Sequence, residues 1–564
     1  MRQGNRRERR SAAVEARKRD VPTRQKPPVL ADALALERQG QLRQAFDVYL
    51  LLTSSGHGDA LTRSHFGHFL VANTPASPHP DIEAALRSAL DHGWIRPDLL
   101  VHSVVRYLNA KHPTAMSAIL NLDPTSFLRH REANAMLQDP LLWSLLRATP
   151  AATPALDIFL ARARHAALAL ALSGHSIDHL CPFLAALGER GPISGFALTL
   201  PALGVDLPFT EAEPSLIERL RTRVNASAAI SDVALVALLA CFEQVYPFAT
   251  GVASHPALAG IVAAHVDRPF QLERIAAELS PATPIEAETN LVRNQYEEHP
   301  YPMWVREPFG VPIPIPEAVR KQLKRSRRFP PRSVLVAGCG TGQHVFAAAD
   351  RWERAPLVAI DCSRSSRAYA IMKAREHGFD RVHFALADLL RAEDLGEKFD
   401  VVEAVGVLHH LASPAEGLRT LTRVLNPGGV IYVGLYARAA RRHLDHARRQ
   451  VASRPRNDAE LRDYRAHALA GGVAPEIVHS PDFYSLGGCK DLIFHEREHS
   501  FDLNEVQALL ADAGMSFLAI QAPARMAAVE QIPGEADWRG WHALELAEPL
   551  LFGGMYHVWA RLAQ

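Results

Sequence analysis

The chain has 564 residues, of which 48% are apolar and 22% charged, and its formal net charge is +1. That length exceeds what one hydrophobic core supports, so two or more domains are expected. The composition is that of an ordinary globular protein and excludes collagen-like, coiled-coil and wholly disordered chains. The near-zero charge gives no global drive towards nucleic acid.

Residues 1–29 read as a basic disordered tail. Ten Arg and Lys side chains between Arg2 and Lys26 meet only Glu8, Glu15 and Asp20. Such a run is a solvated block of like charge, with a phosphate-contacting arm as the alternative. No apolar stretch follows it in the manner of a secretory signal. The strongly apolar run Val233–Phe242 is too short to span a bilayer, so no membrane association is expected. Five scattered cysteines without CxxC spacing point to neither a disulfide framework nor a zinc site, and a reducing cytoplasm suits them.

Residues 30–285 carry Leu and Ala at helical spacing between Pro and Gly breaks, the pattern of an all-α domain. Ala33–Gly40 and Leu42–Tyr49 read as two short helices about a glycine turn, with Ala45 and Tyr49 on one face. This pair resembles a tetratricopeptide unit; the hairpins that follow do not keep the consensus. Residues 286–332 read as a Pro-rich, then basic, linker and lid, from His299-Pro-Tyr-Pro-Met-Trp304 through Lys321–Arg332. Proline fixes φ and removes a donor, so this segment is not one continuous helix.

Beyond residue 332 the rhythm becomes strand, helix, strand. Ser333–Ala337, Leu357–Ile360, Val382–Leu386, Asp400–Val405 and Val430–Gly434 are short apolar runs. Ser413-Pro414-Ala-Glu416 supplies a cap, an N1 proline and a capping-box glutamate for the helix before the last of them. Residues 333–564 are therefore expected to form a doubly wound, Rossmann-like α/β sheet, preceded by the helical domain. In such a sheet the ligand crevice lies at the carboxyl ends of the strands. Gly338, Gly340 and Gly342 follow the first strand as GxGxG, letting backbone approach a ligand. Asp361 ends the second strand, where a carboxylate accepts ribose hydroxyls, and Asp388 ends the third, placed for an adenine amino group. GxGxG lacks the full pyrophosphate spacing, and the extra acid with Leu408-His409-His410-Leu411 favours S-adenosyl-L-methionine over a dinucleotide.

This set resembles the class I S-adenosylmethionine-dependent methyltransferases, whose domain has seven strands. The resemblance implies that the loop Gly338, Gly340, Gly342 cradles the methionyl part, Asp361 the ribose and Asp388 the adenine. Their neighbours Cys339, Cys362, Leu389 and Val405 complete the expected cofactor site, with Tyr296 folding over it; an aromatic face attracts a sulfonium. A narrower resemblance, to bacterial methyltransferases that follow tetratricopeptide-type helices, rests on Asn294–Trp304, Val433–Tyr436, Asp482–Ser485, Asp491–His495 and Trp541–Trp559. No particular acceptor follows from it.

His495-Glu-Arg-Glu-His499 spells HExxH, which binds zinc only from a helix. Asp502-Leu-Asn-Glu505 starts a fresh helix three residues later, so no metal is expected here. Methyl transfer needs alignment and dryness more than a protein nucleophile. The expected activity is therefore transfer to an O, N or C nucleophile, with His410, Tyr436 and His495 against the acceptor. The acceptor is expected to be a protein, a peptide or a carrier-docked substrate held by the helical domain. The alternatives are a free small molecule, a nicotinamide oxidoreductase and a non-catalytic helical scaffold.

Overall fold

The computed structural model describes residues 28–54, 58–75, 77–120, 124–194, 213–226, 233–245, 255–311, 313–352, 355–451, 454–472, 475–522 and 532–563. Residues 1–27, nearly all of the basic tail, thus lie outside the described residues. The chain divides into two compact units between Phe66 and Gly67.

In the first unit, helices Leu30–Arg38 and Leu42–Ser54 form about Gly40, whose φ of +71° suits a residue without Cβ. Ala45 and Tyr49 are both buried, the Tyr49 hydroxyl donates to Glu37, and its ring stacks on Phe66 at 5.1 Å.

The second unit begins with helices that open on proline. Pro80, Pro140 and Pro154 each follow a residue (His79, Asp139, Thr153) whose side chain accepts a first-turn N–H. There the missing proline donor costs nothing. Pro154–Leu172 is buried on nearly every face, its alanines allowing close approach. It also carries Asp157, which faces Arg190 and Arg465, each at 3.7 Å. Arg465 belongs to the helix Asp458–Leu469, so this buried charge cluster ties the helical region to the sheet region.

The stretch read as linker and lid contains two helices, Asn290–Glu298 and Glu317–Arg325. The prolines at 300, 302, 308, 314 and 316 all fall between them, so neither helix loses an internal hydrogen bond. Val319 and Leu323 are buried in the same core as Val334, Val336, Val430 and Tyr432, so the basic stretch packs with the sheet domain.

Seven strands form one sheet: β1 Val334–Ala337, β2 Leu357–Asp361, β3 Val382–Leu386, β4 Phe399–Val405, β5 Leu425–Tyr436, β6 Met515–Ile520 and β7 Met555–Leu562. Their order is β3-β2-β1-β4-β5-β7-β6, parallel except for β7, which runs antiparallel between β5 and β6. The expected Rossmann-like sheet of seven strands is present. Strand β5 begins at Leu425, earlier than the expected Val430, and its register with β4 slips between Phe399 and Val401. Gly429 passes so close to the Asp400 carbonyl that a Cβ would stand 2.8 Å from it. Connections reverse direction between β1 and β4, which opens the crevice at their carboxyl ends.

Candidate active site

A cavity of about 530 Å³ opens there, lined by Gly338, Cys339, Gly340, Asp361, Cys362, Asp388, Leu389 and Val405 among others. These are the expected cofactor residues, Gly342 excepted. Gly338 has φ +71° and touches Val407, which a Cβ would strike at 2.4 Å; Gly340 has φ +51° and lies under the Tyr301 carbonyl. Gly342 serves packing instead. Its φ is +90° at the start of the helix Gln343–Arg351, and an added Cβ would meet that of Ala370 at 2.9 Å.

The Asp361 carboxylate accepts the amides of Gly340 and Ser363, each at 2.8 Å, so the acid shapes the glycine loop. Burial raises its pKa against those bonds. Asp388 is more fully engaged: Oδ2 accepts from the Glu286 amide and the Thr289 hydroxyl, and Oδ1 from the Leu390 amide. Its own amide donates to Thr283. The segment 281–298 is thereby strapped across the ends of β2 and β3. Glu297 reinforces it, accepting the amides of Arg364 and Ser365 at the start of the helix Arg364–His377. Nothing in the sequence marked Thr283, Glu286 or Thr289; Glu297 lies in the motif stretch 294–304, where nothing singled it out.

The other end of the cavity is built from side chains. The Tyr296 hydroxyl donates to Asp491 at 2.8 Å and accepts from His495 Nε2 at 3.1 Å; Tyr301 donates to Asp482 at 2.8 Å. Tyr296, expected over the cofactor, lines the cavity and reaches into this side-chain network. His410 Nδ1 lies 2.8 Å from the Arg497 carbonyl, and the Arg497 amide donates to His495 Nδ1. These bonds fix both tautomers: His410 keeps a lone pair on Nε2, whereas His495 carries its proton there. The rings of His410 and His495 stack at 3.7 Å. Tyr436 is held between the Arg441 guanidinium, 3.6 Å from its centroid, and the His409 ring at 3.7 Å. Two groups that close must take opposite faces, which leaves its hydroxyl edge for the cavity. Arg441 is itself paired with Glu498 at 2.9 Å.

Burial dominates the titration of these groups. It lowers His410 to about 4 and His495 to about 2, so both are neutral imidazoles. It raises Asp482, and lifts Asp491 to about 7 with help from the facing Asp482 charge. Tyr296, Tyr301 and Tyr436 are raised well above the phenol range for the same reason. His410, Tyr436 and His495, expected together from sequence, do share this end, although His495 stands behind Tyr296 and His410. Asp482, Asp491 and Arg441 went unrecognised as site residues. The first two lie in the motif stretch 482–495, but nothing there separates a cavity residue from a packing one.

HExxH is not helical: the helix Leu486–Phe494 ends before it, and the His499 amide and Nε2 engage the carbonyls of His409 and Leu411. A different set comes together among the described residues, with potential ligand atoms of His410, Asp491 and His495 within 4.8 Å of one another. Trp304, expected as a candidate cover, packs mainly against Phe346 and Tyr369 in a buried aromatic cluster. Behind the site, Glu403 on β4 is buried and bonded to Arg351, His344 and the Trp352 indole. Burial opposes its ionisation, yet Arg351 and His344 hold its carboxyl at about 2. Arg96, Asp98 and Ala148–Ala151 bring the helical region into the cavity wall. Among the described residues no helix is long and apolar enough to cross a membrane.

Residues 332–472 match the family model described as a methyltransferase domain. An uncharacterised protein of Synechococcus sp. is 36% identical over 120 residues, which cover 21% of this chain and 29% of that protein. A ubiquinone biosynthesis O-methyltransferase of Pseudomonas entomophila is 30% identical over 113 residues, 20% of this chain and 48% of that enzyme. The chain spans less than half the length of these curated relatives. Among solved structures, PKMT2 from Rickettsia typhi in complex with AdoHcy is similar at a TM-score of 0.34 and 14% identity, over 44% of this chain and 53% of that one. Residues 332–472 thus carry a methyltransferase domain by sequence.

Proposed function

We propose that the chain is an S-adenosyl-L-methionine-dependent methyltransferase. The observation that carries this reading is the loop after β1. Gly338 and Gly340 bring backbone to the cavity in left-handed conformations, and Asp361 holds the Gly340 amide from the neighbouring strand. The donor set fits an adenosyl group. Each Asp361 oxygen accepts one amide and retains a second lone pair for ribose hydroxyls, while Asp388 Oδ1 retains one for an adenine amino group. Cys339, Cys362, Leu389 and Val405 line the same end. When bound, the cofactor supplies an electrophilic methyl group on a sulfonium. The chain's own part is to align the acceptor and exclude water, which Tyr296, Tyr301 and the strap 281–298 do by closing the cavity.

The acceptor is a protein, a peptide or a carrier-docked substrate, since Arg96–Asp98 and Ala148–Ala151 of the helical region line the same cavity. The helices Leu30–Arg38 and Leu42–Ser54 suit a tetratricopeptide-type unit. A reducing bacterial cytoplasm suits five free thiols.

Isothermal titration of the full chain with S-adenosylhomocysteine and with NAD tests the cofactor. Binding of the former without the latter is expected, and the reverse overturns the reading. Tritiated methyl donor incubated with fractionated extract tests the acceptor: label in protein supports docking by the helical region, and label confined to small molecules removes it.

A further inference from the structure

We infer that the acceptor end of the cavity is built for an amine nitrogen. This deepens the methyl-transfer reading and rests on it.

The inventory of hydrogen-bonding groups carries the inference. Tyr296 and Tyr301 have given their hydroxyl protons to Asp491 and Asp482, and His495 has given its Nε2 proton to Tyr296. Beside the Tyr436 hydroxyl and the Arg497 guanidinium, what the chain still offers is acceptors: the second oxygens of Asp482 and Asp491, and the His410 Nε2 lone pair. Neither carboxylate has a cationic side chain within ion-pair distance among the described residues apart from His495, 3.9 Å from Asp491 and neutral as argued above. Of the four arginines that line the cavity, Arg306 and Arg497 form no ion pair with either acid among the described residues, and the other two are committed elsewhere. Arg96 forks onto Asp98 with bonds of 3.2 and 2.7 Å, and Arg441 forks onto Glu498 while lying on Tyr436. A pair of acids, Asp491 buried and Asp482 half-buried, is costly to keep ionised without a cation unless a partner arrives. An ammonium group brings three donors and a positive charge; a phenol brings one donor and no charge, and a carboxylate substrate brings repulsion.

The same pair supplies the proton acceptor that an amine requires. An ammonium must lose a proton before its nitrogen lone pair can attack. Asp491, poised by burial and by Asp482 near neutrality, takes that proton directly or through His410. The nitrogen then forms a bond to the methyl carbon as the carbon–sulfur bond breaks, and sulfur keeps the electron pair as a neutral thioether. The charge that sulfur loses appears on nitrogen, still facing Asp482 and Asp491. A metal ion is the competing occupant for His410, Asp491 and His495. It fits less well, because the Arg497 amide occupies His495 Nδ1 and leaves Nε2 protonated.

The full chain, saturated with S-adenosylhomocysteine, is titrated with n-butylammonium, phenol and butanoate, and binding is followed by saturation-transfer NMR. Saturable binding of n-butylammonium is expected, with phenol and butanoate weaker by about tenfold or more. Asp482→Asn and Asp491→Asn should each weaken the ammonium by a similar factor. Tyr301→Phe retains both carboxylates and serves if either Asn variant fails to fold; it should keep the preference for ammonium over phenol. Absence of ammonium binding, or a preference for phenol or butanoate, overturns the inference. So does one equivalent of zinc bound through His410 and Asp491, shown by its loss in His410→Ala. If S-adenosylhomocysteine does not bind at all, the methyl-transfer reading fails instead, and the two failures are distinguishable.

Discussion

At one end of the cavity, Gly338, Cys339 and Gly340 follow β1 in unbroken sequence, and the groups they present are backbone groups held by Asp361. At the other end, Tyr296, Tyr301, His410, Tyr436, Arg441, Asp482, Asp491 and His495 come from five separate stretches and present side chains. The first end works by conformation, since its positive φ angles and close approaches exclude a Cβ. The second works by desolvation. There a carboxylate rises to about 7 and an imidazole falls to about 4 because neither sees water. Changes at the first end should therefore show up in cofactor affinity, and changes at the second in acceptor affinity and rate.

The comparison breaks most sharply at Asp491. Asp491→Asn should lower the turnover rate by about 10²–10⁴, the usual value of a positioned base, and leave S-adenosylhomocysteine affinity within about twofold by calorimetry. A comparable loss of cofactor affinity would mean that the two ends are not separable. Asp361→Ala is the mirror case. It removes charge-assisted bonds to the loop and the ribose, so the dissociation constant for S-adenosylhomocysteine should rise about a hundredfold.

The rate at saturating substrates should fall as pH drops below about 7. The sign follows from the role: protonated Asp491 cannot accept, and each unit of pH below its pKa removes about nine-tenths of the ionised form. The groups facing it are Asp482, Glu498, Arg441, Tyr296, His410 and His495; both histidines are already neutral through that range. Asp491→Asn should flatten the profile. Gly342→Ala sharpens the comparison from the other side. Its residue is in the glycine motif but not in the cavity wall, so the variant should lose about 1–3 kcal/mol of stability in a denaturation curve. The folded fraction should bind cofactor normally. The smallest effect is expected from Thr289→Val, which removes one of three bonds to the Asp388 carboxylate; cofactor affinity should fall about fivefold by calorimetry.

Much of the cofactor end was legible because its parts are local. A glycine pattern, the strand before it and the helix after it lie within a few residues, and each acid ends its own strand. The caps at Ser413 and Asp502 were legible for the same reason, and both accept the expected amide. The helix Glu317–Arg325 was missed because the prolines before it masked a short amphipathic segment whose Val319 and Leu323 bury against the sheet. Glu403 was read as one residue of an apolar strand. Its partners, His344, Arg351 and Trp352, become its neighbours only once the helix after β1 packs against β4.

The order of strands and helices, the glycine loop and the acids at the strand ends were set by local pattern. Short-range sterics and the period of two or 3.6 residues act on neighbours along the chain. Tertiary structure alone decided that Asp388 would be taken up by Thr289, and that Asp491 and Asp482 would each receive a tyrosine hydroxyl. Burial is a property of the assembled fold, and it is burial that turns ordinary carboxyls and imidazoles into a site.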